Sequence, residues 1–214
     1  MRTTNSVPTK KNPQVPAAGL ARRRELLDKA AGVFADQGYN ATTVRRIADD
    51  AGMLAGSLYY YFSSKDAMLE EILRTFLDEL WERYDAVLDA GTGPRETFEA
   101  LVTESFRAIG RHCDAVRIYQ NEAQQLIARE PRFRFLEQSQ TKFEKAWLTT
   151  LENGVARGDF RADLDTRVTY RFVRDTVWVA ASWYRTGGQY GPEEIARQYL
   201  SMVLDGIAVR ESGT

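Results

Sequence analysis

The sequence predicts an all-α protein of nine helices, in which a small helix-turn-helix head precedes a larger helical domain. From Arg22 onward, apolar residues recur every three or four positions almost everywhere, as on the buried face of a helix. No segment shows a convincing alternation of apolar and polar residues that would indicate a half-buried strand. Hydrophobic residues make up 43% of the 214 residues and charged residues 28%, which is typical of a folded globular protein.

Residues 1–20 are predicted to form a flexible arm, because they contain three prolines and few apolar side chains. Lys10 and Lys11 lie in this arm, and the triplet Arg22–Arg24 lies at its junction with the first helix. These cations can follow a DNA backbone or enter a minor groove, or they can be solvated surface residues. The sequence leaves both interpretations open.

Residues 21–66 are predicted to form the helix-turn-helix head, which contains three short helices. Gly38 and Gly52 mark the ends of the first two helices, and Thr42 or Thr43 can cap the start of the second. Each helix has one apolar face for packing. These faces comprise Leu26, Ala30, Val33 and Phe34 in the first helix, Val44, Ile47, Ala48 and Ala51 in the second, and Ala55, Leu58, Tyr59 and Phe62 in the third.

Residues 67–214 are predicted to form the larger domain. Ser63 and Asp66 have the spacing of a capping box that would open a long fourth helix. Glycines and prolines separate five further helices, and a domain of about 140 residues is long enough to bury a core with a cavity in it. The apolar stripe of the fourth helix is Leu69, Ile72, Phe76, Leu80 and Tyr84, and the later helices are predicted at roughly 95–110, 114–129, 132–157, 165–186 and 192–209.

The two parts of the chain differ in charge. Residues 1–66 contain ten Lys or Arg and six Asp or Glu, a net charge of +4, whereas the remainder contains nineteen and twenty-four, a net charge of −5. A basic end on an otherwise acidic chain is typical of a local phosphate-binding face, although chance scatter over a surface gives the same excess. The charge alone therefore does not decide between DNA binding and an ordinary surface.

Candidate DNA-binding residues lie on the outer faces of the second and third helices. Gly56 and Ser57 are small, so the third helix can enter a major groove closely and the hydroxyl can reach a base edge. Tyr60 or Tyr61 can donate to a phosphate. Thr43 and Lys65, each at the start of a helix, place further donors where a phosphate would lie. The predicted DNA-binding residues are Thr43, Arg45, Arg46, Gly56, Ser57, Tyr60, Tyr61 and Lys65.

The stretch from Thr42 to Lys65 resembles the signature of the TetR family of regulators. It contains TTVRRIA, then AG, then GSLYYYFSSK at matching spacings, and the helical remainder also fits over residues 22–209. The alternative is a helical bundle whose short helices only pack against each other. Three consecutive tyrosines favour the family interpretation, since they are costly to expose without a partner.

The resemblance implies a TetR-type architecture in which residues 67–214 bind a ligand and dimerise. It implies a homodimer built on the last two helices, whose heads bind successive major grooves of palindromic operator DNA about 34–36 Å apart. In that family the residues matching Ser57, Tyr60 and Lys65 commonly touch DNA. Leu54 stands where a small or polar residue is common, which puts the base preference in doubt.

The segment 165–186 is the main candidate for ligand contacts. At helical spacing, the arginines 171, 174 and 185 share one stripe with the indole of Trp178. Such a stripe suits an anionic ligand with an apolar body, although a buried arginine paired with a carboxylate is a common structural alternative. Aromatic residues on other helices extend the set, while most such stripes are plain core. The predicted ligand-binding residues are Arg174, Trp178, Arg171, Trp81, Tyr84, Tyr119, Gln120 and Trp147, with Phe143 as a further candidate.

The second half of the chain resembles a subgroup of repressors that control cholesterol catabolism in bacteria. The segments IYQNEAQ (118–124), GVARGDFRADLD (154–165) and YRFVRDTVWVAASWYRTGG (170–188) carry this resemblance. It implies that the effector is a CoA thioester of a partly degraded steroid, an indanedione propanoate. The alternative effectors are a fatty acyl-CoA or an exported drug. We expect the fourth helix to link the head to the ligand pocket, because it joins the two in sequence.

The sequence does not predict an enzyme. It contains no HExxH, CxxC, Walker or GxSxG pattern, and the single histidine, His112, adjoins Cys113 on a helix, where neighbouring side chains point about 100° apart. Glu122 and Glu144 are predicted to be solvated. We therefore expect a regulator without cofactor or metal. The alternative from another class, a helical acyl-CoA-binding enzyme without DNA binding, would convert an acyl-CoA rather than return it unchanged.

The single cysteine excludes an intramolecular disulfide, which fits a reducing cytoplasm. No run of 18 apolar residues occurs, so a membrane span is not expected. The N-terminus lacks the apolar region of a secretory signal. These features predict a cytoplasmic protein.

Overall fold

The computed structural model describes residues 17–207, which form α-helices joined by short connections and contain no strand element. The predicted all-α class is therefore confirmed for this part of the chain. The α-helices are α1 Ala17–Gln37, α2 Val44–Asp50, α3 Ala55–Leu58, α4 Lys65–Asp89, α5 Pro94–Arg129, α6 Arg134–Arg157, α7 Thr166–Trp178 and α8 Pro192–Ile207. Two 3-10 segments, Pro131–Phe133 and Val179–Ser182, follow α5 and α7.

The described residues contain eight α-helices rather than the nine predicted, because the helices expected at 95–110 and 114–129 form one element. This element, α5, is kinked at His112, whose backbone angles (φ −130°, ψ 36°) are not helical. The His112 ring bonds across to α4, with its Nε2 atom 2.7 Å from Oε2 of Glu79. The predicted break therefore exists as a bend rather than as a gap.

The helix predicted at 165–186 ends as an α-helix at Trp178. The chain then tightens into the 3-10 segment, where the Ser182 hydroxyl donates to the Val179 carbonyl at 2.7 Å. A side chain that takes a backbone carbonyl in this way competes with the regular helical hydrogen bond. Arg185 consequently leaves the stripe of α7, so the predicted alignment of Arg171, Arg174, Trp178 and Arg185 is wrong at its last member.

The structure tests the predicted N-cap residues of two helices. Thr43 caps α2, since its Oγ1 accepts from the Arg46 amide at 3.2 Å. The cap of α4 is Ser64 rather than Ser63, because the Ser64 Oγ accepts from the Ala67 amide at 3.0 Å. The predicted capping box is therefore wrong: Ser64 caps the helix alone, because the residue three positions later, Ala67, has no polar side chain to return the bond.

Helix α5 lies at the centre of the protein and packs against α1, α4, α6, α7 and α8. The predicted apolar stripe of α4 is buried along its whole length. Helices α1 to α3 pack with the start of α4 as the predicted head. Helix α1 already begins at Ala17, inside the segment 1–20 predicted as an arm, while residues 1–16, with Lys10 and Lys11, lie outside the described residues.

Over residues 17–207, none of the helices combines the length and the apolar character that crossing a bilayer requires.

Candidate functional site

The outer face of the head is exposed, and its inner face is buried. On the inner side, Ile47 and Ala48 of α2 and Leu58 of α3 are almost completely enclosed. On the outer side, the exposed fraction of the side chain reaches 86% for Tyr60 and 79% for Leu54. Side chains of this size are costly to leave in water, so the outer face is suited to a partner. The exposed predicted DNA-binding residues are Thr43, Arg45, Arg46, Gly56, Ser57 and Tyr60.

Two glycines of the head have different physical roles. Gly52, in the turn between α2 and α3, has φ +65°, a left-handed conformation that side chains disfavour. A Cβ atom added at Gly56 would meet no heavy atom within 4 Å. Packing within the chain therefore does not explain Gly56, and its small size leaves room on the outer surface of α3.

Lys65 is less available for DNA than its position at a helix start indicates. Its Nζ atom donates to the carbonyls of Tyr39 and Thr42, each at 2.8 Å, and lies 4.1 Å from the centre of the Tyr39 ring. Burial lowers the pKa of Lys65, against an opposing effect of the Glu122 charge. Since an ammonium group has three donors, one remains for a phosphate. The predicted phosphate contact stays a prediction.

The arginines at the start of α1 are largely engaged within the protein. Arg22 donates to the Ala51 carbonyl at 3.4 Å and also pairs with Glu25. Arg23 pairs with Glu71 of α4 and covers the Phe62 ring at 4.5 Å. These contacts favour a structural role for both, whereas Arg24 is exposed.

A cavity of about 320 Å³ lies between α4, α5, α6 and α7. Its walls are aromatic on several sides and carry amide, phenol and charged groups elsewhere. Six of the residues singled out from the sequence reach it, including Phe143. The lining residues are Phe76, Tyr119, Gln120, Ala123, Gln124, Gln140, Phe143, Glu144, Trp147, Tyr170, Arg174, Asp175 and Trp178.

Three predicted ligand residues do not line this cavity. Trp81 is part of the core behind it, where its Nε1 donates to the Ser139 hydroxyl at 3.0 Å and its ring stacks on Phe143. Tyr84 is completely buried, and its hydroxyl lies 2.6 Å from the Ser105 hydroxyl. Arg171 is exposed on α7. A helical stripe is longer than the cavity, so its members divide between core, cavity and solvent.

The positively charged residue of the cavity, Arg174, is paired with a carboxylate of the same helix. The Nε of Arg174 lies 2.7 Å from Oδ1 of Asp175, and this hydrogen bond raises the pKa of Arg174. The guanidinium also lies 5.5 Å from the centre of the Tyr170 ring. Arg174 therefore stays charged and oriented, and it has further donors for a ligand.

Two phenols supply neutral donors. Burial raises the pKa of Tyr119 to about 12 and also raises that of Tyr170. Both hydroxyls therefore keep their protons at neutral pH and can donate to a ligand oxygen. Together with the amides of the lining, they make a wall suited to an oxygenated neutral group.

Sequence reasoning missed several lining residues. Gln124 was missed although it lies four residues after the predicted Gln120 on α5, a spacing that indicates a shared face. Gln140 lies on a different helix, and only the packing of α6 on α5 reveals it. Glu144 is exposed, as predicted, although it also lines the cavity. The prediction of a solvated residue is wrong for Glu122, which is half-buried and bonded to the head.

Within residues 17–207, no group of three or more His, Cys, Asp or Glu side chains is arranged to hold a metal ion.

Comparison with known protein families gives two matches. Residues 26–72 match the model described as bacterial regulatory proteins, tetR family. Residues 91–207 match the model described as Tetracyclin repressor-like, C-terminal domain. The division falls within α4, in agreement with the position of the head.

Individual relatives are similar over most of the chain. The HTH-type transcriptional repressor KstR2 of Rhodococcus jostii (strain RHA1) is 52% identical over 187 residues, which cover 87% of this chain and 91% of the relative. KstR2 of Mycolicibacterium smegmatis is 49% identical over 195 residues, with 91% and 95% covered. The solved structure of the ketosteroid transcriptional regulator KstR2 of Mycobacterium tuberculosis superposes with a TM-score of 0.85 at 46% identity, covering 92% of this chain and 98% of that one.

Proposed function

Because this chain belongs to the TetR family of bacterial regulatory proteins, we propose that it is a repressor of steroid-ring catabolism that a CoA thioester releases from its operator. Membership makes the chain a transcriptional regulator rather than an enzyme. The similarity to repressors named KstR2, one of them described as a ketosteroid regulator, supports the steroid assignment. The cavity between α4 and α7 is the observation on which the effector proposal rests.

The proposed operator complex uses the outer face of α2 and α3. Exposed arginines at 45 and 46 face the phosphates, while Ser57 and Tyr60 approach the groove. The space around Gly56 supports a close approach of the α3 backbone to the base edges. A palindromic site matches two such heads related by a twofold axis.

The proposed homodimer forms through α7 and α8. Large apolar side chains are exposed on these helices and their connection, with Phe172 at 68% and Met202 at 76%. Exposed apolar side chains of this size favour burial against a second copy. These side chains belong to Val168, Phe172, Val179, Trp183 and Met202.

The cavity suits the acyl part of the proposed effector. Its volume of about 320 Å³ is near the lower end of the range of roughly 300–1,000 Å³ for small-molecule sites. The acyl body would lie in the cavity against its aromatic walls. The larger nucleotide part of the CoA would remain outside the cavity. The Arg174 guanidinium is partly exposed and charged, so it is suited to a polar group at the entrance.

The test is an operator-binding titration with two matched variants. Palindromic DNA from upstream of the protein's own gene is bound, and an indanedione propanoyl-CoA or, separately, a fatty acyl-CoA is added. We expect release by the steroid-derived thioester alone. Arg174→Ala should raise the required thioester concentration by about tenfold or more, since a charge-assisted hydrogen bond is lost. Arg171→Ala, an exposed position on the same helix, should behave as the unaltered protein.

Each result decides a different part of the proposal. Equal release by the fatty acyl-CoA would replace the steroid effector with a general acyl-CoA. Tight DNA binding that neither thioester disturbs would retain the repressor and discard the effector. A parallel loss of DNA affinity and response in Arg174→Ala would contradict the assignment of Arg174 to the ligand.

A further inference from the structure

The part of α5 after the kink, residues 113–129, contacts the cavity with one face and the head with another. One face lines the cavity with Tyr119, Gln120, Ala123 and Gln124. The other face bonds to the head. Since successive residues of a helix point about 100° apart, some positions of this segment can face the cavity while others face the head. A single rigid element therefore contacts both the candidate ligand space and the candidate DNA-binding domain.

Glu122 makes a half-buried bond to the head. Its Oε1 atom accepts from the backbone amide of Tyr39 at 3.1 Å, in the loop that joins α1 to α2. The preceding residue, Gly38, has φ +80°, and a Cβ atom there would lie 3.4 Å from the same oxygen. Glycine thus permits both the turn and the close approach of the carboxylate.

Two arginines of the same segment make outer bonds to the head. Arg117 donates to Asp36 at 3.0 Å, and Arg129 donates to the Asn40 side chain at 3.1 Å. Both contacts are exposed, so water and salt weaken them. The Glu122 bond is half-buried, as is a second bond from Arg117 to the Ala35 carbonyl at 3.3 Å, but only the Glu122 bond of these two holds the backbone of the loop that leads into α2.

The same loop is held from its other side by α4. Lys65 donates to the carbonyls of Tyr39 and Thr42, so the loop 38–43 lies between Lys65 and Glu122. The next residue, Thr43, caps α2 and begins the predicted DNA-binding face. The position of this loop consequently sets the position of α2.

We propose that Glu122 is a positioning residue for the DNA-binding head, through which the 113–129 segment of α5 transmits the occupancy of the cavity. The inference rests on the proposed function and identifies the residue that links its ligand cavity to its DNA-binding head. A ligand against Gln120 and Gln124 displaces the segment, and the Glu122 carboxylate moves the Tyr39 amide and the start of α2 with it. Coupling of this kind needs contacts that differ between two states, and a displacement of the segment would change its contacts at both faces.

The sequence placed this link in α4, and the structure favours α5. Helix α4 contributes only Phe76 to the lining of the cavity, whereas α5 contributes four residues. At the loop, α4 supplies Lys65, which serves as the fixed support opposite Glu122. The ligand therefore has more surface through which to move α5 than to move α4.

The first measurement needs no ligand. Operator affinity is measured by fluorescence anisotropy for the unaltered protein and for Glu122→Ala, Glu122→Gln and Gln125→Ala. Glu122→Ala should bind the operator about fivefold or more weakly, because the loop loses a charged acceptor. Glu122→Gln retains an acceptor oxygen and should restore binding to within about twofold. Gln125 lines the same junction without a bond to the loop and serves as the matched control.

The second measurement gives the coupling factor, the ratio of operator dissociation constants with and without saturating indanedione propanoyl-CoA. We expect this ratio to fall at least about fivefold in Glu122→Ala while the thioester affinity, followed by tryptophan fluorescence, is retained. Unchanged operator affinity or an unchanged ratio in Glu122→Ala would overturn the inference. If the thioester does not release the unaltered protein, the effector proposal fails, and the ligand-free measurement alone decides the role of Glu122.

Discussion

The outer face of the head and the core of the larger domain use their aromatic residues in opposite ways. The head presents Tyr59 and Tyr60 to solvent, whereas the larger domain encloses rings such as Phe98, Phe133 and Phe160 completely. Exposed aromatics are available to an external partner, while enclosed ones stabilise the fold and shape a cavity. The comparison teaches that one residue class can serve recognition on the outer face of the head and architecture in the core of the larger domain.

The largest expected effect tests this contrast through stability. Phe98→Ala should lower the free energy of unfolding by about 3–5 kcal/mol, because a buried ring leaves a cavity between Trp147 and Phe160. Tyr60→Ala, at an exposed ring of the head, should change it by no more than about 0.5 kcal/mol. Denaturant unfolding followed by circular dichroism measures both. A comparable loss in Tyr60→Ala would mean that the tyrosine is structural and would remove the contrast.

The contrast also explains what the sequence could predict. The candidate DNA-binding residues are contiguous, from Thr43 to Lys65, so a local pattern describes the whole face. The cavity takes residues from Phe76 to Trp178, on four helices. Periodicity tells which side of a helix is apolar, but the packing of helices decides where that side meets a cavity.

Two particular residues show this limit. Phe76 and Tyr84 lie on the same predicted stripe of α4, yet Phe76 lines the cavity and Tyr84 bonds to Ser105 in the core. Likewise, the 3-10 segment that follows α7 contacts α5, where the Cys113 thiol lies 3.5 Å from the Ala181 carbonyl. Contacts between residues distant in sequence determine whether a side chain lines the cavity or lies in the core.

A prediction of intermediate size separates two cations of the head. Arg46 is exposed on α2, whereas Lys65 donates to two carbonyls. Arg46→Ala should flatten the dependence of log affinity on log salt by about 0.9, the loss of one phosphate contact on duplex DNA. Lys65→Met should flatten it less, because most of its bonds lie within the protein. Operator titrations at several salt concentrations test this, with thermal unfolding as the control for folding.

Equal flattening in both variants would show that Lys65 leaves the loop to contact a phosphate in the complex. Lys65 would then belong with the exposed face of the head rather than with its internal support. No flattening in Arg46→Ala would remove that arginine from the predicted DNA-binding set.

The smallest expected change in stability gives the sharpest separation of recognition from architecture. A Cβ atom at Gly56 meets no atom of the protein within 4 Å, so Gly56→Ala should leave stability unchanged or raise it by up to about 1 kcal/mol through helix propensity. Operator affinity should nevertheless fall severalfold, since the methyl group occupies space that the groove needs. Gly32→Ala is the matched control, because that helical glycine of α1 has only an ordinary contact, 3.7 Å from Asp114. If both variants bind the operator as the unaltered protein does, α3 does not approach the DNA through Gly56, and the groove contact must be sought elsewhere on the exposed face of the head.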